Sequence, residues 1–103
     1  MPTSNDAIQD LEDSKKALED QCAAASGATL LKLLLSIQHI ADEVGAQEES
    51  LLATAAYVPQ TDPFKTVTVD ARAFVATLHS IKAAFAALGP FLQAIDRILT
   101  YIK

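Results

Sequence analysis

The sequence predicts an all-α protein, and three observations support that prediction. Half of the 103 residues are hydrophobic, yet only 6% are aromatic, and there are only three glycines and four prolines. Such a composition favours helix almost throughout the chain. Apolar residues also recur at steps of three and four, as they do along one face of a helix. The length suits a single core, so we expect one all-helical domain over residues 1–103.

The first helix is predicted over residues 6–25. Asp6 and Gln9 approximate a capping box at its start, and Ser26-Gly27 ends it. One stripe along this helix is apolar apart from a single lysine, with the narrow spacing of a coiled-coil contact. Its members are Ile8, Leu11, Lys15, Leu18, Cys22 and Ala25.

The second helix is predicted over residues 28–58. Pro59 and Pro63 end it, because a proline disfavours helical geometry in the residue before it. Gly45 is a weak point inside the helix, and the alternative is a split into two helices around residues 43–49. The predicted apolar stripe is Leu30, Leu34, Ile37, Ala41, Val44, Glu48, Leu51, Ala55 and Val58.

A connection over residues 59–69 leads to the third helix, predicted over residues 70–103 with Asp70 as its N-cap. The apolar stripe of this helix keeps one phase across Gly89-Pro90, a pair that normally ends a helix. Two helices joined by a turn have no reason to keep one phase, so we expect a single helix kinked at Gly89-Pro90. The predicted fold is a long antiparallel helical hairpin plus the N-terminal helix, three helices in all. The alternative is a compact four-helix bundle with a turn at Gly89-Pro90.

The net charge of −5 is divided unevenly along the chain. Residues 1–50 carry ten acids and three lysines, whereas residues 51–103 carry three acids and five bases. No cluster of Lys and Arg could neutralise a row of phosphates, so we expect no nucleic-acid partner. The acidic half would also be repelled by an anionic membrane surface.

No apolar run approaches the roughly 20 residues of a spanning helix, so no transmembrane segment is expected. The most apolar run, residues 30–37, holds one lysine, Lys32, and is predicted to pack into the core. The first sixteen residues are acidic and lack an apolar run, unlike a cleavable secretory signal. We expect a cytoplasmic protein, with export by a route that needs no cleavable signal as the alternative.

Few residues suggest chemistry. His39, Asp42 and Glu43 share one helix face, but a di-iron bundle needs a second Glu-x-x-His motif and further glutamates. A solvated polar face is therefore expected there, and a metal-binding bundle is the lesser alternative. Cys22 lies in the apolar stripe beside acidic residues, which predicts a structural thiol. No nucleophile or phosphate-loop motif occurs, so we expect no enzyme, no catalytic residue and no cofactor or metal.

The third helix is apolar around most of its circumference, which is typical of a helix covered on more than one side. We expect a protein partner to cover it, either another copy in a homo-oligomer or an obligate partner. The predicted function is therefore a structural or protein–protein interaction protein that self-assembles or docks through an apolar helical face. The interaction face consists of Phe74, Phe85, Phe91, Leu92, Ile95, Ile98, Leu99, Tyr101 and Ile102.

An acidic surface on the first helix suggests an alternative function. A small acidic inhibitor or adaptor could bind one specific protein through charged side chains. The residues of this predicted surface are Asp10, Glu12, Asp13, Glu19 and Asp20.

Overall fold

A computed structural model of the chain describes residues 2–49, 55–85 and 89–103. In these residues the chain is mostly helical, and the predicted all-α class is confirmed. The α-helices of the described residues are α1 (Ser4–Gln21), α2 (Gly27–Glu49), α3 (Val69–Ala84) and α4 (Gly89–Thr100). Short 3₁₀ turns follow α1 and precede α3, at Cys22–Ala24 and Asp62–Phe64.

The four helices pack as neighbours in an antiparallel bundle. Helix α1 contacts α2 and α4, and helix α3 contacts the same two helices from the other side. Ser4 at the start of α1 donates to Gln47 near the end of α2. Lys32, early in α2, donates to Ser80, late in α3. These contacts show that each helix runs opposite to the one before it.

The predicted kinked helix across Gly89-Pro90 is wrong. Lys82 Nζ lies 2.7 Å from Asp96 Oδ1, although residues that far apart in a continuous helix would be separated by about 21 Å. The rings of Phe85 and Phe91 also meet, with centroids 5.1 Å apart. Helix α4 therefore folds back on α3, and the chain has the four helices of the compact alternative rather than three. Residues 86–88, including Leu88 of the predicted stripe, lie outside the described residues.

Gly89 and Pro90 occupy the first turn of α4. Proline is tolerated there because the first turn of a helix uses no backbone N–H donor within the helix. The same pair can therefore open a helix as readily as it can bend one. The longest dimension of the molecule is 38 Å, shorter than the roughly 50 Å of the predicted hairpin arm.

Helix α2 ends earlier than predicted and faces a different way. It runs unbroken through Gly45 to Glu49, and Ala55 to Val58 are not helical; Leu51 lies outside the described residues. Its buried face is displaced by one position from the predicted stripe, so that Leu33 is fully buried and Leu34 is 49% exposed. The buried residues of α2 are Leu33, Ser36, Ile40, Glu43, Val44 and Gln47.

Threonines cap two of the helices, and Asp70, the predicted N-cap of the third helix, lies in the first turn of α3 instead. Thr3 caps α1 and forms a reciprocal capping box with Asp6, while Thr68 caps α3 by accepting from the Ala71 N–H. The carboxylate of Asp6 accepts from the Thr3 N–H at 3.0 Å. These hydrogen bonds hold the pKa of Asp6 below its usual value.

The segment before α3 is hydrogen-bonded to residues near both ends of the chain. Backbone hydrogen bonds join Ser4 to Ala55 and Tyr57 to Pro2, and others join Lys103 to Phe64 and Thr66. Phe64 is fully buried and lies edge-on to Phe74, with ring centroids 5.4 Å apart. The connection thus closes one end of the bundle and contributes to its core.

Candidate functional site

The residues predicted to form an exposed interaction face lie mainly in the core of the bundle. Phe74, Phe91, Ile95, Ile98, Tyr101 and Ile102 are buried within the chain itself, and Phe85, Leu92 and Leu99 are partly buried. Because α3 and α4 are separate helices that pack on each other, much of that surface is covered without a partner.

Exposed leucines instead lie on α2. Leu31 is 68% exposed, and Leu34 and Leu35 are each 49% exposed. Positions i, i+3 and i+4 are neighbours on a helix surface, so these three side chains form one surface, which we call the leucine patch. The predicted burial of the residue 30–37 run is therefore wrong for three of its five leucines.

The buried side of the same helix is unusually polar. Ser36 and Glu43 are fully buried, and Gln47 is 3% exposed. Helix α2 thus turns three polar side chains inward while three leucines face out. This arrangement departs from the usual amphipathic pattern, because the buried side of α2 is shared between these polar residues and the apolar Leu33, Ile40 and Val44.

Exposed carboxylates lie on both α1 and α2, the helix that carries the leucine patch. Of the five predicted acidic-surface residues, Asp10 is partly buried and accepts a hydrogen bond from the Tyr101 hydroxyl of α4, and the other four are exposed. Lys16 is the one exposed base within these two helices, and Lys15 and Lys32 are partly buried. The exposed carboxylates, which we call the acidic face, are Asp6, Glu12, Asp13, Glu19, Asp20, Asp42, Glu48 and Glu49.

Leu34 of the leucine patch and two glutamates of the acidic face border the same groove between α1 and α2. Ser4 contacts α2, and steps of three and four from Ser4 lead to Glu12 and Glu19, so both glutamates lie on the α2 side of α1. Lys32 contacts α3, which places Leu34 on the opposite side of α2, toward α1. The groove therefore has leucine along one wall and carboxylate along the other.

Glu43 is the most completely bonded polar side chain of the bundle. Its carboxylate accepts hydrogen bonds from the Thr61 N–H and hydroxyl, at 2.9 and 2.7 Å, and from the Gln60 N–H at 3.1 Å. Gln47 Nε2 donates at 2.7 Å and the Tyr57 hydroxyl at 3.3 Å. Fully buried and occupied by these donors, Glu43 fastens the connection to α2 and has no free oxygen for catalysis.

The candidate metal ligands do not meet. Glu43 points into the core, while Asp42 accepts from Gln38 at the surface at 2.8 Å. The His39 ring lies edge-on to Phe74, with centroids 4.9 Å apart, and this burial lowers the pKa of His39 against the opposing effect of Asp42. In the part of the chain that the structure describes, no three His, Cys, Asp or Glu side chains are placed to hold a metal ion.

The two tyrosines of the chain lie together beside Glu43. Their rings meet edge-to-face, with centroids 5.0 Å apart, and Lys103 Nζ lies over the Tyr57 ring, 5.7 Å from its centroid. Burial raises the pKa of Tyr57, and the negative charge of Glu43 raises it further. Burial and the hydrogen bond to Asp10 raise the pKa of Tyr101. Neither hydroxyl is suited to act as a base near neutral pH.

Two further features are structural. Cys22 is partly buried and packs against the core, with its thiol donating to the Leu18 carbonyl at 3.5 Å. A cavity of about 230 Å³ beside the start of α3 is lined by Thr66, Ala71, Arg72 and Val75. The cavity offers few polar groups to orient a ligand.

Comparison with known proteins assigns no family. The chain matches no family model, no curated protein and no solved structure. None of the helices in the described residues is both long and apolar enough to cross a membrane. The candidate site is therefore argued from the surface of α1 and α2.

Sequence reasoning missed the leucine patch, although a signal was present. Residues 30–35 hold five leucines in one and a half turns, and a single helix face cannot bury leucines that point in every direction. The phase of α2 was assigned from apolar residues alone. That phase is wrong because Glu43 is buried against Thr61 of the connection, and Gln47 is buried against Glu43 and the Val58 carbonyl.

Proposed function

We propose that this chain is a non-enzymatic protein–protein interaction protein that binds another protein through the leucine patch and the acidic face. The single observation that carries the proposal is the outward leucine patch on a helix whose buried side holds Ser36, Glu43 and Gln47. Hydrogen bonds account for the buried polar side chains, but they leave three leucines exposed to water, which is unfavourable unless a partner covers them.

Hydrophobic burial supplies the driving force for binding. A fully buried leucine contributes about 1.5–3 kcal/mol relative to an exposed one. Leu31 is 68% exposed, and Leu34 and Leu35 are each 49% exposed, so about half or more of each side chain is available to a partner. A small apolar centre surrounded by charged groups is also the usual anatomy of a protein interface.

The direct test compares the purified chain with a Leu34→Ser variant. Since Leu34 contributes little to the core, we expect the variant to keep the helical circular dichroism and the melting temperature of the parent. We expect it to lose binding partners in affinity capture, or to lose self-association in sedimentation if the partner is another copy. Val67→Ser is the matched control, because Val67 is 86% exposed and lies away from α1 and α2.

The outcomes separate the proposal from its alternatives. Unchanged binding by Leu34→Ser would refute a role for the leucine patch. Loss of stability in that variant would show that Leu34 is covered within the chain. Binding of one specific target with loss of that target's activity would identify the inhibitor or adaptor form of the same function.

A further inference from the structure

We infer that the partner of this surface is a cationic amphipathic helix that lies in the groove between α1 and α2. This inference rests on the proposed function and adds the chemistry of the occupant. Its apolar residues would contact the leucine patch, and its Lys or Arg residues would face the acidic face.

Charge is the first argument. The exposed surface of α1 and α2 presents eight carboxylates and one lysine, Lys16. Such a one-sided surface attracts a cationic partner and speeds its association. Glu12, Glu19 and Glu48 have no hydrogen-bond or salt-bridge partner within the described residues. A cationic side chain could thus pair with them without displacing an existing contact.

The geometry of the groove is the second argument. Leu34 on α2 and Glu12 and Glu19 on α1 border the groove on opposite sides. A third helix laid over two others contacts both through side chains at positions i, i+3, i+4 and i+7. Because Leu34 lies on one wall and two glutamates lie on the other, the groove matches a helix that has an apolar face beside a basic face.

The same charges disfavour a second copy in this position. A two-fold dimer through this surface would place the acidic face of one molecule against the acidic face of the other, because symmetric interfaces pair identical patches. Like charges brought together across an interface oppose association. The leucine patch therefore lacks a suitable counterpart in the identical surface of another molecule.

Model peptides provide the test. One peptide of about 14 residues, roughly 21 Å as a helix, carries leucine on one face and lysine elsewhere. The first control has glutamate in place of lysine, and the second has the same leucines and lysines in an order without an apolar face. Binding to the full chain is measured by fluorescence anisotropy at low and high salt.

We expect the leucine–lysine helix to bind at least about tenfold more tightly than either control, with affinity falling as salt screens the charges. Leu34→Ser should reduce this affinity at every salt concentration. Glu12→Gln with Glu19→Gln should reduce it mainly at low salt. The matched control is Asp62→Asn with Asp70→Asn, which neutralises two exposed carboxylates outside α1 and α2.

The failures are distinguishable. Equal binding of the lysine and glutamate peptides, still lost in Leu34→Ser, overturns the cationic occupant and leaves the proposed function standing. Absence of peptide binding together with self-association that Leu34→Ser removes assigns the groove to a second copy. Binding of the lysine peptide that Leu34→Ser leaves unchanged shows general attraction to acids and overturns the inference. If no peptide binds and Leu34→Ser changes no interaction of the chain, both proposals fall.

Discussion

Glu43 and Thr61 are joined by two hydrogen bonds to one carboxylate oxygen. The Thr61 N–H donates to Glu43 Oε1 at 2.9 Å, and the Thr61 hydroxyl donates to the same atom at 2.7 Å. This pair ties the connection to the middle of the second helix. It also explains why a charged residue can occupy the centre of a bundle, since a buried carboxylate needs hydrogen-bond donors.

Glu43→Gln should destabilise the bundle by about 2–4 kcal/mol. The amide NH₂ of glutamine is a hydrogen-bond donor and would face the donors that surround the carboxylate, and the remaining hydrogen bonds would be weaker. Urea unfolding followed by circular dichroism measures the change. Asp42→Asn is the neighbouring control on the solvent side and should change stability by less than about 0.5 kcal/mol. A Glu43→Gln protein as stable as its parent would contradict a structural role for the carboxylate.

Leu33 and Leu34 should respond in opposite ways to truncation. Leu33→Ala leaves a cavity in the core and should cost about 2–5 kcal/mol, whereas Leu34→Ala should stay within about 0.5 kcal/mol of the parent. The two substitutions remove the same atoms from adjacent residues, so unfolding curves compare burial alone. A larger loss from Leu34→Ala would place the predicted stripe, rather than the observed one, in the core.

Tyrosine ionisation should be delayed in the folded protein. The pKa values of both Tyr57 and Tyr101 are raised above the ordinary value near 10, so the unfolded chain releases these protons at lower pH than the folded chain. Stability is therefore unaffected below about pH 10 and falls as the pH rises above it. Near-ultraviolet absorbance should show little tyrosinate in the folded state where the urea-unfolded chain is already ionised. In Tyr57→Phe only Tyr101 titrates, and in Tyr101→Phe only Tyr57 titrates. A pKa near 10 for the remaining tyrosine would contradict the raised pKa expected for that residue.

Two glycines should give opposite effects on replacement by alanine. Gly45 lies in α2 with open space around its α-carbon, so Gly45→Ala should stabilise by about 0.5–1 kcal/mol. Gly27 has a φ of +58°, and Gly27→Ala should cost about 1–2 kcal/mol because a side chain is strained in that conformation. Thermal melts of the two variants measure the difference. Stabilisation by Gly27→Ala would contradict the left-handed backbone at the start of α2.

The sequence by itself determined the helical class and the approximate starts of α1, α2 and α3. Composition and periodic apolar residues are local properties, and helix formation responds to them directly. The break at Ser26-Gly27 was visible for the same reason. The exposed position of four of the five predicted acids also follows from charge alone, since unpaired carboxylates avoid the core.

Only the tertiary structure decided the packing of α4 against α3, the inward face of α2 and the location of the apolar surface. A continuous apolar phase is compatible with one kinked helix or with two that fold back, and the contact between Lys82 and Asp96 distinguishes them. The phase of α2 depends on donors supplied by Gln60 and Thr61, which lie well beyond its end. Because distant backbone donors make a buried glutamate favourable, the leucines on the other side of the helix face outward. A local sequence pattern does not show such a long-range hydrogen bond.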